Sequence, residues 1–205
     1  MKRSKVLLLI ATSLAIVILL GTYLTVFRKR YSGSPPSMIT PYVSASDIAS
    51  INEAYSASDN APWGFVHKGI DFFPTDNYKS FRAVFSGVIK EIKLRQGAQI
   101  SNSKVDVTLE FDSSFSAVYY FEFFSQDTAD GQIQLNNILV SEGQSVSQGD
   151  VIGKLYMAGG GSHVHFSLIK DGEMICPEPY FTQEAKNSIL EILHKTYPGS
   201  GMCYG

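Results

Sequence analysis

The sequence predicts a mainly β domain, an antiparallel sandwich or barrel, preceded by one membrane-spanning helix and followed by one further helix. Three observations carry this. From Trp63 to Ile169 apolar residues recur with the period of two that marks half-buried strands, in short runs separated by turn signals. Val6 to Phe27 contains no charged residue. Thr182 to Tyr197 carries an apolar stripe of Ala185, Ile189, Ile192 and Leu193 at helical spacing, and Pro198-Gly199 stops it.

The first 30 residues read as an anchor. A helix from Val6 to Phe27 reaches ~33 Å at about 1.5 Å per residue, enough for a hydrocarbon core of about 30 Å. Lys2, Arg3 and Lys5 precede it and Arg28, Lys29 and Arg30 follow it. No small-residue cleavage site follows the apolar run, so it reads as an uncleaved span rather than a signal peptide. The basic flanks are balanced, so the positive-inside rule leaves orientation to the free amino terminus, which favours N-terminus inside and C-terminal domain outside the cytoplasm.

Residues 31–60 are rich in Ser, Ala, Pro and Asn and read as a stalk. Within it, Asp47 to Tyr55 is expected as a short helix capped by Ser46. The folded domain is expected over 61–181, with the C-terminal helix and tail over 182–205. Phe81 to Phe85 and Val88 to Leu94 flank Ser86-Gly87 and suggest one long strand region with a bend. Val105, Val107, Leu109 and Phe111 alternate with polar residues, and Asp112-Ser113-Ser114 turns the chain into Phe115 to Phe124, a hairpin. Ile138 to Val140, Val146, Val151 to Tyr156 and Val164 to Ile169 supply further short strands.

Six of the 17 Lys and Arg flank the anchor, so residues 31–205 carry 11 against 19 Asp and Glu, a net charge of −8. That excludes the basic footprint a nucleic-acid binder needs. Cys176 and Cys203 are the only two cysteines. Outside the cytoplasm an even count favours a disulfide, here one tethering the tail.

Four histidines remain. His163 and His165 lie two apart on a predicted strand, so both imidazoles face one way. His67 precedes Asp71 by four positions, offering a nitrogen and a carboxylate oxygen close together. Imidazole and carboxylate are standard zinc ligands. His194 lies on the C-terminal helix and reads as a surface residue.

Three blocks in order resemble the lysostaphin-type zinc endopeptidases, which cut peptide cross-links in bacterial cell walls. They are His67-Lys68-Gly69-Ile70-Asp71-Phe72 for H-x-G-x-D-[FY], Gly143 to Gly153 for G-x-x-V-x-x-G-x-x-I-G, and His163-Val164-His165-Phe166 for H-[LV]-H-F. The resemblance runs from about Trp63 to Tyr180. The middle block is structural, with glycines at turns and Val146 and Ile152 facing a core.

The resemblance implies a barrel-sandwich hybrid of the duplicated hybrid motif type. It implies a zinc ion held by His67, Asp71 and His165, with His163 as a catalytic histidine. The implied substrate is a peptidoglycan peptide or another extracytoplasmic peptide. One departure matters: the family's second catalytic histidine, in a Tyr-x-His-Leu context, is absent. If Tyr119 matches the family's tyrosine, Phe121 stands at that position; if Tyr120 matches, Glu122 does. The apolar Phe123 that follows favours Glu122 as a group able to accept a proton or orient water. The missing histidine leaves a second reading, a non-catalytic metal- or wall-binding regulator of another hydrolase. A carrier or phosphotransfer domain, which shares the middle block, fits poorly with an anchor and an H-x3-D pair.

Overall fold

The alternation in the sequence becomes an alternation of faces in one large sheet. The computed structural model describes residues 35–96, 99 and 103–205. The strands are β1 (Ile48–Ile51), β2 (Tyr55–Ser56), β3 (Ile70–Pro74), β4 (Ser80–Arg82), β5 (Gly87–Arg95) and β6 (Lys104–Glu110). After β7 (Phe115–Glu122) comes helix α1 (Thr128–Asn136), then β8 (Ser145–Val146), β9 (Val151–Lys154), β10 (His163–Lys170) and β11 (Glu173–Ile175). Helix α2 (Gln183–Thr196) and β12 (Cys203–Tyr204) end the chain. The large sheet runs β1-β3-β10-β7-β6-β5-β8, antiparallel throughout, with β11 beside β10. The fold is therefore mainly β with antiparallel sheets and few helices, as the sequence predicts.

One face of this sheet is the core. Ile70 and Phe72 on β3, Val164, Phe166 and Leu168 on β10, Ala117, Tyr119 and Phe121 on β7, and Val105, Val107 and Leu109 on β6 are all fully buried. The small antiparallel pair β4–β9 lies over them, with Phe81 edge-on to Phe121. Tyr119 ties the layers: its hydroxyl donates to the Arg82 carbonyl and accepts from the Val84 N–H, both at 2.9 Å. A buried hydroxyl satisfied on both sides costs nothing in lost hydrogen bonding. The opposite face carries the intervening residues, and it holds the site.

Several expectations are corrected. From Pro35 onward the segment read as a stalk belongs to the same compact unit as the rest of the domain. Met38, Tyr42, Ile48, Ile51 and Ala54 are all in the core, and Tyr42 packs edge-on to Phe72. Four large apolar anchors outweigh a linker-like composition. The helix expected over Asp47 to Tyr55 is a single 3-10 turn, Ala45–Asp47, capped by Ser44 rather than Ser46, and the chain then extends as β1. Ile48 and Ile51 are needed at the sheet edge, where β1 pairs with β3, and β-branched residues suit that role.

Phe81 to Leu94 is not one bent strand: β4 joins the small sheet and β5 the large one. Gly87 makes the crossing possible, because a Cβ there would lie 2.2 Å from the Glu110 carbonyl oxygen. Ile138 to Val140 forms only a single bridge, Ile138 to Gly153. Helix α1, capped by Asp127, was not foreseen; Gly131 lies within it and its apolar residues make no clear stripe. Helix α2 falls where predicted, capped by Thr182, with the expected four residues buried. The anchor expected over Val6 to Phe27 lies outside the described residues. Among those described, no helix is long and apolar enough to cross a membrane.

The disulfide between Cys176 and Cys203 forms as expected. It fixes β12 against β2, in parallel pairing, where Ala57 N–H donates to the Tyr204 carbonyl at 2.8 Å. Trp63 packs edge-on to both Tyr197 and Tyr204. β2 in turn bridges to His67, since Ser56 and His67 exchange backbone hydrogen bonds. The tail thus braces the segment that carries His67.

Closing a loop of 27 positions should stabilise the fold by on the order of 3 kcal/mol on the chain-entropy estimate. The paired change Cys176→Ser, Cys203→Ser is expected to lower the unfolding temperature by about 6–12 °C in a domain of this size. Identical melting of the oxidised and paired-serine proteins would count against a structural bond.

Candidate metal centre

Strand register builds the site in two rungs. On the first, Asp71 of β3, His165 of β10, Tyr120 of β7 and Asp106 of β6 lie directly opposite one another. On the second, His163 of β10, Glu122 of β7 and Lys104 of β6 do the same, with Phe73 of β3 stacked on the His163 ring at 4.8 Å. Directly opposed side chains share a face and lie about 5 Å apart. Glu122 therefore faces the histidines, whereas Phe121 is fully buried in the core. The alternative left open by the sequence is decided in favour of Glu122 as the residue beside the site.

His67 arrives from the loop before β3. Its Nε2 lies 3.2 Å from Asp71 Oδ1 and 3.1 Å from His165 Nδ1, and His165 Nδ1 lies 2.6 Å from the same Asp71 oxygen. The far nitrogens are both occupied. His67 Nδ1 meets the Ala54 carbonyl at 3.0 Å, which can only accept, so Nδ1 carries the proton. His165 Nε2 donates to Ser167 Oγ at 2.9 Å, since that hydroxyl spends its own proton on the Lys68 carbonyl. As neutral imidazoles both rings would thus turn a bare nitrogen toward Asp71, whereas a second proton on either ring would be donated to the Asp71 carboxylate. A tetrahedral ion with ligand bonds of about 2.0–2.1 Å has edges of ~3.3 Å between donors. Two imidazole nitrogens and a carboxylate oxygen within 4.8 Å of one another, each ring held from behind, fit zinc in both chemistry and spacing.

Gly69 is required by space rather than by its turn. A Cβ there would meet His165 Nε2 at 2.4 Å and the Phe166 carbonyl oxygen at 2.5 Å.

His163 is buried beside this triplet. Its Nδ1–H donates to the Gly161 carbonyl at 2.8 Å, and its Nε2 faces Asp71 Oδ2 at 3.5 Å and Glu122 Oε2 at 3.7 Å. Phe73 and Phe124 flank the ring. Phe124 adopts φ 51°, unusual for a bulky residue, and the glycine loop is moulded on it: a Cβ at Gly161 would lie 2.4 Å from its ring. The run Ala158-Gly159-Gly160-Gly161 noted in the sequence therefore shapes the wall behind His163. His194 is apart from all this, with Nε2 bonded to the Ser200 carbonyl at 2.8 Å.

Sequence reasoning missed Glu53. Its carbonyl accepts from the Asp71 N–H at 2.9 Å, and its carboxyl is near enough to feel the Asp71 charge. Burial and then the Asp71 charge push the Glu53 pKa up. Asp71 itself is lowered, because hydrogen bonds from His165 and His67 and the nearby imidazoles outweigh its burial. His67 is also burdened by burial, yet the Asp71 hydrogen bond and charge leave its pKa raised above 6.5. No motif marks Glu53; it lies in the segment that reads as linker.

No family model and no curated protein matches the chain. Solved structures do. A chain of the SpoIIQ–SpoIIIAH pore-forming complex aligns with TM-score 0.54 and 23% identity over 73% of this chain and 94% of that one. A chain of a second SpoIIIAH–SpoIIQ complex gives TM-score 0.52 and 23% identity over 70% of this chain and 99% of that one. Matches with lower scores include a zinc-containing peptidase from Vibrio cholerae, at TM-score 0.47 and 20% identity over 69% of this chain and 39% of that one. Lysostaphin is also among them, at TM-score 0.48 and 17% identity over 71% of this chain and 56% of that one. At such identities the likeness defines the fold. The chain therefore shares its fold with a component of that pore-forming assembly.

A zinc ion bound here would have to compete with the proton, whose hold on His67 is strengthened by Asp71. A raised pKa means tighter proton competition as pH falls, so zinc affinity should weaken about tenfold per pH unit below that value and level off above it. Zinc titrations from pH 5 to 8 check this; a flat profile would argue against His67 as a ligand. Gly69→Ala should lower zinc affinity at least about tenfold by displacing the His165 ring, as disturbed support of a ligand typically does.

Proposed function

We propose that this chain is a zinc-dependent endopeptidase of the lysostaphin type. Its anchor would hold the domain outside the cytoplasm, where it would hydrolyse peptide bonds, peptidoglycan cross-links being the leading substrate. The observation that carries the reading is the triplet His67, Asp71 and His165 with His163 and Glu122 on the adjoining rung. Both rungs lie on the polar face of one sheet, which suits the duplicated hybrid motif. The disulfide supports an oxidising compartment.

His67, Asp71 and His165 would hold the ion and leave one position free. The ion would supply Lewis-acid polarisation of the scissile carbonyl and acidify water. His163, protonated at Nδ1 by its bond to Gly161, keeps Nε2 available to take a proton from the attacking water and pass it to the leaving amine. Glu122 stands where a second histidine would, and its carboxylate would stabilise the charged form of His163.

A second reading has support of its own. The family's second histidine is missing, and structures of similar fold come from an assembly of two different proteins. In that case the domain binds metal and docks a partner or wall polymer without turnover.

The soluble domain should bind about one zinc per chain, lost in His67→Ala, Asp71→Ala and His165→Ala and kept in His194→Ala. Turnover is assayed on peptidoglycan and on glycine-rich and other peptides. His163→Ala should keep its zinc and lose about 10²- to 10⁴-fold in kcat. Zinc binding without cleavage of any substrate in the panel would favour the second reading.

A further inference from the structure

Glu122 does not act alone. Lys104, its direct cross-strand partner, brings Nζ to 3.3 Å from Glu122 Oε1, while Glu122 Oε2 faces His163 Nε2 at 3.7 Å. One carboxylate oxygen is therefore held by a cation while the other is turned toward the imidazole, just beyond hydrogen-bond distance. The same Nζ stands 4.5 Å from the centroid of the Tyr120 ring, and that ring is edge-on to His165 at 5.3 Å. Lys104, Glu122 and His163 occupy adjacent strands in register, so the backbone sets their spacing. A glutamate side chain has three rotatable bonds, and an isolated one would turn toward water. The Glu122 side chain instead keeps only 12% of its surface exposed.

We propose that Lys104 is a positioning residue of this site: by holding Glu122 Oε1 it keeps Oε2 turned toward His163, so that the lysine–glutamate pair does the work of the absent histidine. The proposal rests on the catalytic reading for its consequence in turnover, but its geometry can be tested without it. The competing explanation is an ordinary cross-strand ion pair, which stabilises a sheet slightly and does nothing more.

The test uses the full chain, zinc-loaded, with Lys104→Met, Lys104→Arg, Glu122→Gln and the double change Lys104→Met, Glu122→Gln. Lys104→Met should lower kcat about tenfold, as loss of a supporting partner typically does, with KM little changed. Lys104→Arg should restore most of it. In the Glu122→Gln background Lys104→Met should cost nothing further, because the two act through one contact. Equal losses in both backgrounds, or no loss in either, would overturn the proposal. A second readout is the nitrogen NMR shifts of the His163 ring. Lys104→Met and Glu122→Gln should displace them in the same direction, and an unmoved ring in Lys104→Met would also overturn it. If the wild type cleaves nothing, the catalytic reading fails while the NMR measurement still decides whether Lys104 sets the geometry around His163.

Discussion

The site depends on the register in which β10 lies between β3 and β7. Pairing His165 with Asp71 on one side and Tyr120 on the other places every functional group except His67 and Glu53. Alternation does the rest: the residues between the rungs, Phe72, Val164 and Phe121, are the ones that fill the core. Burial of those apolar side chains holds the register, since a one-residue slip would send them all to the wrong face. Core packing and site geometry are thus two faces of one constraint.

Electrostatics add a second layer. Asp71 is nearly buried and touches three imidazoles, so in the metal-free chain it is held ionised while Glu53 beside it is pushed toward its neutral form. Such a cluster accommodates positive charge at its centre. The nitrogens facing outward are each committed to a carbonyl or hydroxyl, and this fixes which atom of each ring turns inward.

Much of this was legible in the sequence, and the part that was not has a physical cause. Period-two patterning revealed β6, β7 and β10, though not β3, and the i, i+2 rule put His163 and His165 on one face. The Tyr119 or Tyr120 ambiguity could not be settled there, because two adjacent aromatics satisfy either phase; only the core contacts of Tyr119 show which faces inward. Residues 35–60 were misread because four anchors, Met38, Tyr42, Ile48 and Ile51, are spaced for an irregular path and not for any period. Glu53 and Lys104 come from regions with no motif: Glu53 joins the site through tertiary contact, and Lys104 through its register opposite Glu122. The expected anchor, lying outside the described residues, rests on the sequence.

The rung arrangement has an evolutionary consequence. Each position on a rung is a slot whose location is guaranteed by strands that other residues hold together. Exchanging the occupant, histidine for glutamate at 122 for instance, leaves the backbone where it was. A lineage can therefore dismantle and rebuild catalysis one slot at a time while the scaffold stays selectable for metal or partner binding. That would allow active and inactive domains to share one fold at low sequence identity, and it makes the occupants of a rung a better guide to chemistry than the fold that carries them.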